Sequence, residues 1–150
     1  LARFCTICST GAMTTPQLIL IAGPYRSGTD GDPARIAANL ARLEAASLPI
    51  YRAGHIPMIG EWVALPILRE AEAEVKAEAE AEAEAKAEAA GVDPNGADVM
   101  YETAARLLQH CDGVLRLPGE SSGADNDVRI ARERGIPVYT AIDQLPGFVG

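Results

Sequence analysis

The chain has 150 residues, enough for one ordinary domain with a real core. A formal net charge of −8 argues against a nucleic-acid polymer as partner, because proteins that grip phosphate backbones are normally basic. An apolar share of 48% excludes a disordered chain, and no apolar run approaches the ~20 residues that span a bilayer, so no membrane partner is expected.

In chain order, residues 1–12 read as a read-through or disordered leader ahead of a start at Met13. Within it, Cys5-Thr6-Ile7-Cys8 has CxxC spacing. A zinc site there would need two further ligands from among His55, His110 and Cys111, and nothing in the sequence brings these together. Three cysteines, two of them in the leader, imply no disulfide framework and point to a reducing cytoplasm.

Leu18 to Ala22 is a continuous apolar run followed by Gly23-Pro24, the pattern of a buried parallel strand ending in a loop. Asp32 and Pro33 are suited to the cap and first position of a helix that carries Ile36, Leu40 and Leu43. Pro49 should end or kink that helix. Ile56 to Ile59 reads as a short second strand, and Pro57 puts it at a sheet edge or in a loop. A helix is expected to start between Glu61 and Leu68.

The tract from Glu70 to Glu88 sets eight Glu against two Lys, so most of the negative charge belongs to this one element. Its strict Ala/Glu alternation has the period of a strand. Propensity overrides that period, because alanine and glutamate favour helix and disfavour sheet. With no apolar stripe beyond alanine, the tract is expected to be a solvated, weakly packed helical insertion at about 66–90. Gly91 is its stop, and Asp93-Pro94-Asn95-Gly96 is a turn. Asp98 is a candidate cap for a helix holding Ala104, Leu107 and Leu108.

Gly113 to Leu117 reads as a third strand, with Asp112 opening it, and Ile136 to Thr140 as a fourth. Between them runs a helix from about Ser122 to Arg134, closed by Gly135. The alternation specifies an α/β three-layer sandwich on a parallel sheet of four to five strands, of the Rossmann/flavodoxin-like type, occupying residues 13–150. Ligands in such folds sit beyond the carboxyl ends of the strands. The loops at Gly23–Asp32 and Pro118–Gly123 lie there.

Ser122 and Asp125 have capping-box spacing, and a helix start presents free N–H groups and a positive dipole end. Ser121, Ser122 and Gly123 are therefore a candidate phosphate cradle. The same dipole should favour the ionised form of Asp127, as suits a carboxylate nucleophile and not a general acid. Arg26 is a further candidate for the phosphate. Trp62 could stack on a base, and Glu61 could supply a second acid. His55 reads as structural.

Taken together, Ile21-Ala22-Gly23-Pro24-Tyr25, Ala53 to Met58, Cys111 to Arg116, Ser121 to Asp127 and Gly135 to Val138 resemble the nucleoside 2-deoxyribosyltransferase superfamily. The likeness is greatest to its short members near the nucleoside 5'-monophosphate N-glycosidases. It covers most of residues 17–140 and omits the Ala/Glu tract. The resemblance implies cleavage of an N-glycosidic bond by a carboxylate that attacks the anomeric carbon, in two displacements, as in retaining glycosidases.

It puts the nucleophile at Asp127, where the usual residue is the longer Glu, and an orienting tyrosine at Tyr25. Ser121 matches the branch that acts on 5'-phosphorylated substrates. Gly23, Pro24, Glu61 and Trp62 complete the expected substrate pocket, and Glu102 lies near a position where some members carry an acid. The implied partner is a small nucleotide or nucleoside, the implied assembly a homo-oligomer, and the chemistry calls for no metal or organic cofactor. Two other readings are a nucleotide-binding module without chemistry and an oligomeric interaction protein using the acidic helix.

Overall fold

In a computed structural model, residues 15–81 and 96–150 are described. The leader with its CxxC pair, the tract beyond Ala81, the Gly91 stop and the turn at residues 93–95 lie outside them. The chain order is β1 (Leu18–Ala22), α1 (Pro33–Ala45), α2 (Ser47–Arg52), β2 (Ile56–Ile59), α3 (Gly60–Ala81), α4 (Ala97–Leu108), β3 (Gly113–Arg116), α5 (Ser122–Glu133) and β4 (Val138–Tyr139). A 3-10 turn at Ile142–Gln144 follows.

The four strands form one parallel sheet in the order β2-β1-β3-β4. In register, Ile19 lies opposite Pro57 on one side and Gly113 on the other. Pro57 therefore sits on an edge strand with one partner, where a missing N–H is tolerated. Asp112 opens β3 by accepting the Leu18 backbone N–H at 2.8 Å.

The pleat of β1 divides the core. Ile19 and Ile21 point to one face, where they join Leu43, Ala46, Ile50, Ile59, Leu115 and Leu145. Leu20 and Ala22 point to the other, with Leu108, Cys111, Val114, Ala124 and Ala131. The helices α1 and α2 thus cover one face, and α4 and α5 cover the other, giving three layers. The expected sandwich is present, with four strands. Because β1 leads outward to β2 and the chain then crosses back to β3, the order reverses between β1 and β3. A ligand site is expected at that reversal, beyond the strand ends.

Local signals explain most helix boundaries. Asp32 caps α1 by accepting the Ala34 N–H at 2.9 Å, with Pro33 in the first turn. The break near Pro49 falls at Ala46, and α2 then runs through Pro49 because a proline in the first turn forfeits no helical hydrogen bond. At the end of α5, Gly135 takes φ 71°, and the Ile136 N–H reaches the Ala131 carbonyl at 2.8 Å, closing a Schellman cap.

Two cap expectations are corrected. The cap of α4 is Gly96, at φ 66°, and not Asp98, which lies in the first turn. A Cβ on Gly96 would stand 2.8 Å from Leu68 Cδ2, so close packing of α4 on α3 selects glycine. The cap of α5 is Ser121 and not Ser122: its Oγ accepts the Ala124 N–H at 3.2 Å. Asp125 closes no capping box with Ser122. It is drawn to Arg116 instead, 2.8 Å away.

Candidate functional site

Beyond the carboxyl ends of β1 and β3, the described residues enclose a cavity of about 730 Å³, within the range of small-molecule sites. Its floor is the β1 end with Gly23. One wall is α3, another is the start of α4, and the third is the first turns of α5. The β1–α1 loop closes the remaining side with Tyr25, Arg26 and Ser27.

Two loops hold these parts in place. Asn39 on α1 donates to the Tyr25 carbonyl at 2.9 Å, and buried Thr29 donates to the Arg26 carbonyl at 2.6 Å. After β3, the Arg116 guanidinium donates to the Leu117 carbonyl, to the Gly119 carbonyl at 2.8 Å and to Asp125. Side chains from the sheet and from α1 thus fix the backbone that presents Tyr25 and Ser121.

Of the residues expected at the site, Asp127, Tyr25, Ser121, Ser122, Gly123, Arg26, Gly23 and Glu61 all line this cavity. Pro24 and Trp62 do not. Pro24 is buried against the second loop, where a Cβ on Gly119 would meet its Cγ at 2.8 Å. Trp62 is 40% exposed and donates its indole N–H to Glu44 on α1 at 3.1 Å. About 100° further round α3 than Glu61, its indole is turned toward α1. Glu102 pairs with Arg106 at 2.8 Å on the exposed surface and lies outside the lining.

His55 is buried and structural. Its Nδ1 accepts the Gln17 N–H and its Nε2 faces the Pro146 carbonyl, so both ring nitrogens are engaged and the neutral Nε2–H tautomer is assigned. Among the described residues no cluster of three or more His, Cys, Asp or Glu is arranged to hold a metal.

The electrostatics differ from expectation at Asp127. Burial first, and then the negative charge of Glu61, push its carboxyl up to about 7, against an opposing pull from Arg116. The helix dipole does not prevail, because it fades beyond the first turn and is worth less than ~1 kcal/mol there. Asp127 lies past that turn. Its Oδ1 is sealed from solvent and has no hydrogen-bond partner among the described residues.

Glu61, in the first turn of α3, is only 9% exposed. Its carboxyl is likewise raised by burial, against a hydrogen bond from its own backbone N–H. The two carboxyls are both desolvated, and the charge of Glu61 is felt at Asp127. Below them, burial together with the charges of Asp112 and Asp127 pushes the Cys111 thiol up to about 11, which makes it a poor nucleophile.

Several lining residues escaped the sequence reading. Tyr101 on α4 brings its hydroxyl within 3.4 Å of the Ser122 Oγ. Along α3, Leu65, Leu68, Ala71 and Val75 line the same cavity as Glu61. Their spacing of three and four was visible, and it carries a packed stripe into the Ala/Glu tract. The described part of that tract is helical as expected, but its first turns are a wall of the cavity and not a purely solvated surface. The sequence matches no protein-family model, and neither a curated protein nor a solved structure matches it.

Proposed function

We propose that the protein cleaves the N-glycosidic bond of a nucleoside 5'-monophosphate through a covalent glycosyl-enzyme intermediate. The observation that carries this reading is that two desolvated carboxyls, Asp127 and Glu61, line one cavity at the switch point of the sheet. A nucleophilic oxygen needs a free lone pair facing substrate, and a departing base needs a proton. A carboxyl pair supplies both in the form that has Asp127 ionised and the proton on Glu61.

In the first displacement, ionised Asp127 forms a bond to the anomeric carbon as the carbon–nitrogen bond breaks. The base leaves with the proton of Glu61. In the second, Glu61 takes a proton from water, whose oxygen attacks the anomeric carbon and releases Asp127. The products are the free base and the sugar 5-phosphate. Tyr25 lines the same cavity as the nucleophile, and Ser121, Ser122 and Gly123 offer the α5 N-terminus to the 5'-phosphate, with Arg26 also in the lining. Neither displacement calls on a metal or organic cofactor. The setting we assign is cytoplasmic, the partner a small nucleotide, and the assembly a homo-oligomer.

Release of free base from a panel of nucleoside 5'-monophosphates, followed by chromatography, tests the reading. A 2-fluorinated substrate analogue should add its sugar phosphate to Asp127, seen as a mass increase on that peptide. No base release from any nucleotide or nucleoside overturns it. Asp127 is one methylene shorter than the Glu usual in the family that the chain resembles, which favours a second reading: a nucleotide-binding module without turnover. Saturable binding with no base release would select that alternative.

A further inference from the structure

Asp127 sits on the stripe of α5 that faces the sheet. It lies three residues after Ala124 and four before Ala131, both buried against the sheet face that holds Leu20, Ala22 and Val114. Strand alternation puts Arg116, two residues past Val114 and in register with Ala22, on that same face. Its guanidinium is 15% exposed and does not line the cavity. All three of its nitrogens are held, by the Leu117 and Gly119 carbonyls and by Asp125. Asp125, the anionic partner, is 69% exposed. Water screens Asp125 far more than Arg116, so the pair is not neutral as felt from inside the domain. The cations of the cavity lining, Arg26 and Lys76, are exposed and screened in the same way as Asp125.

We propose that Arg116 is a positioning residue of the site: locked behind the cavity wall, its fixed positive charge stabilises the Asp127 carboxylate for attack. The role rests on the glycosidase reading for the attack, though not for the charge effect. Arg116 pulls Asp127 toward its ionised form, whereas burial and the negative charge of Glu61 on α3 work the other way. The Cys111 thiol, which feels Asp127, is neutral near pH 7. Tyr25, Tyr101 and Glu72 line the cavity from the β1–α1 loop, from α4 and from further along α3. The substrate adds to the need for a counter-charge. A 5'-phosphate at Ser122 stands five residues, or ~7.5 Å of helix, from Asp127. That is inside the Debye length, so its negative charge also disfavours the carboxylate. A guanidinium fixed by three acceptors is already in place when the substrate arrives, and needs no reorganisation.

Carbon NMR of the Asp127 carboxyl through a pH titration, its resonance identified by Asp127→Asn, tests the charge effect without substrate. The midpoint in the parent protein should lie at about 7. Arg116→Gln keeps N–H donors for the loop carbonyls and removes the charge, and should raise the midpoint by ~1 or more. Arg116→Met repeats the uncharged case with a side chain that packs on the apolar sheet. Arg116→Lys, charged but without the fork, should hold the midpoint within ~0.5 of the parent. A midpoint that neither uncharged variant raises overturns the proposal. So does an equal rise in Arg116→Lys, which would assign the effect to the loop and not to the charge. Base release by Arg116→Gln should be ~5-fold below the parent at pH 7, with the ratio returning toward one by pH 9. A deficit that stays constant with pH overturns the role in attack. If the midpoints move as expected and the parent releases no base from any nucleotide, the glycosidase reading fails and the charge effect stands.

Discussion

Asp127 is where a short-range effect and a long-range one compete. A dipole contribution below ~1 kcal/mol cannot offset desolvation that lifts the carboxyl to about 7 from an ordinary 3.8. The raised value has a stability consequence of definite sign. The folded state holds the Asp127 proton more tightly than the unfolded chain. Asp127 therefore disfavours folding progressively as pH rises from about 4 to about 7, and the cost is complete above that. Asp127→Asn should leave stability near pH 4 little changed and raise it at pH 8 by up to ~4 kcal/mol, read by urea denaturation at the two pH values. The same variant should lose base release by at least ~10³-fold. In the parent protein, base release should decline on the acid side with a midpoint near 7, because attack needs ionised Asp127. A rate that is flat from pH 5 to 8 would remove Asp127 from the nucleophile's role.

At the scale of elements, neighbouring serines divide two tasks. Ser121 is buried and caps α5, whereas Ser122 is exposed beside Tyr101. Ser121→Ala should cost ~1 kcal/mol of stability through the lost cap. Ser122→Ala should change stability by less than ~0.5 kcal/mol, while weakening binding of a nucleoside 5'-monophosphate relative to the nucleoside. Denaturation curves and calorimetry together separate the two. Helix α3 shows a second division. Leu65, Leu68 and Val75 face the cavity, while Trp62, Val63 and Ile67 remain exposed on its other side. Alternating alanine and glutamate concealed this polarity, because the eye follows the period of two and the helix turns every 3.6 residues. Seen at helical spacing, the stripe from Glu61 to Val75 was present in the sequence.

For the molecule as a whole, one sheet separates two cores. Leu43 lies in the layer under α1, and Leu108 in the layer under α4, each almost completely buried. Leu43→Ala and Leu108→Ala should each cost ~2–5 kcal/mol, the loss expected when a fully buried leucine is truncated. Since the sheet stands between them, the double variant should equal the sum to within ~0.5 kcal/mol. A larger coupling would mean that the two faces respond as one through β1. No helix among the described residues is long and apolar enough to cross a membrane, and the site lies where the parallel sheet reverses its strand order. The cavity thus lies at the carboxyl ends of the strands.

The sequence by itself determined the alternation of strands and helices, the confinement of Pro57 to a sheet edge or a loop, the cap at Asp32 and the stop at Gly135. Each follows from forces acting within a few residues: propensity, missing donors, local caps and the periodicity of apolar side chains. It also picked out the cavity residues of the two loops, since loops at the strand ends of a parallel sheet converge, but of the α3 and α4 walls it named only Glu61. Tertiary structure alone decided that Ser121 caps α5, that Trp62 turns toward Glu44, and that Gly96 is pressed onto Leu68. It alone brought Glu61 from the end of β2 beside Asp127 on α5. The raised carboxyl of Asp127 is the clearest case, because desolvation and charge–charge coupling depend on distances that the order of residues along a chain does not contain.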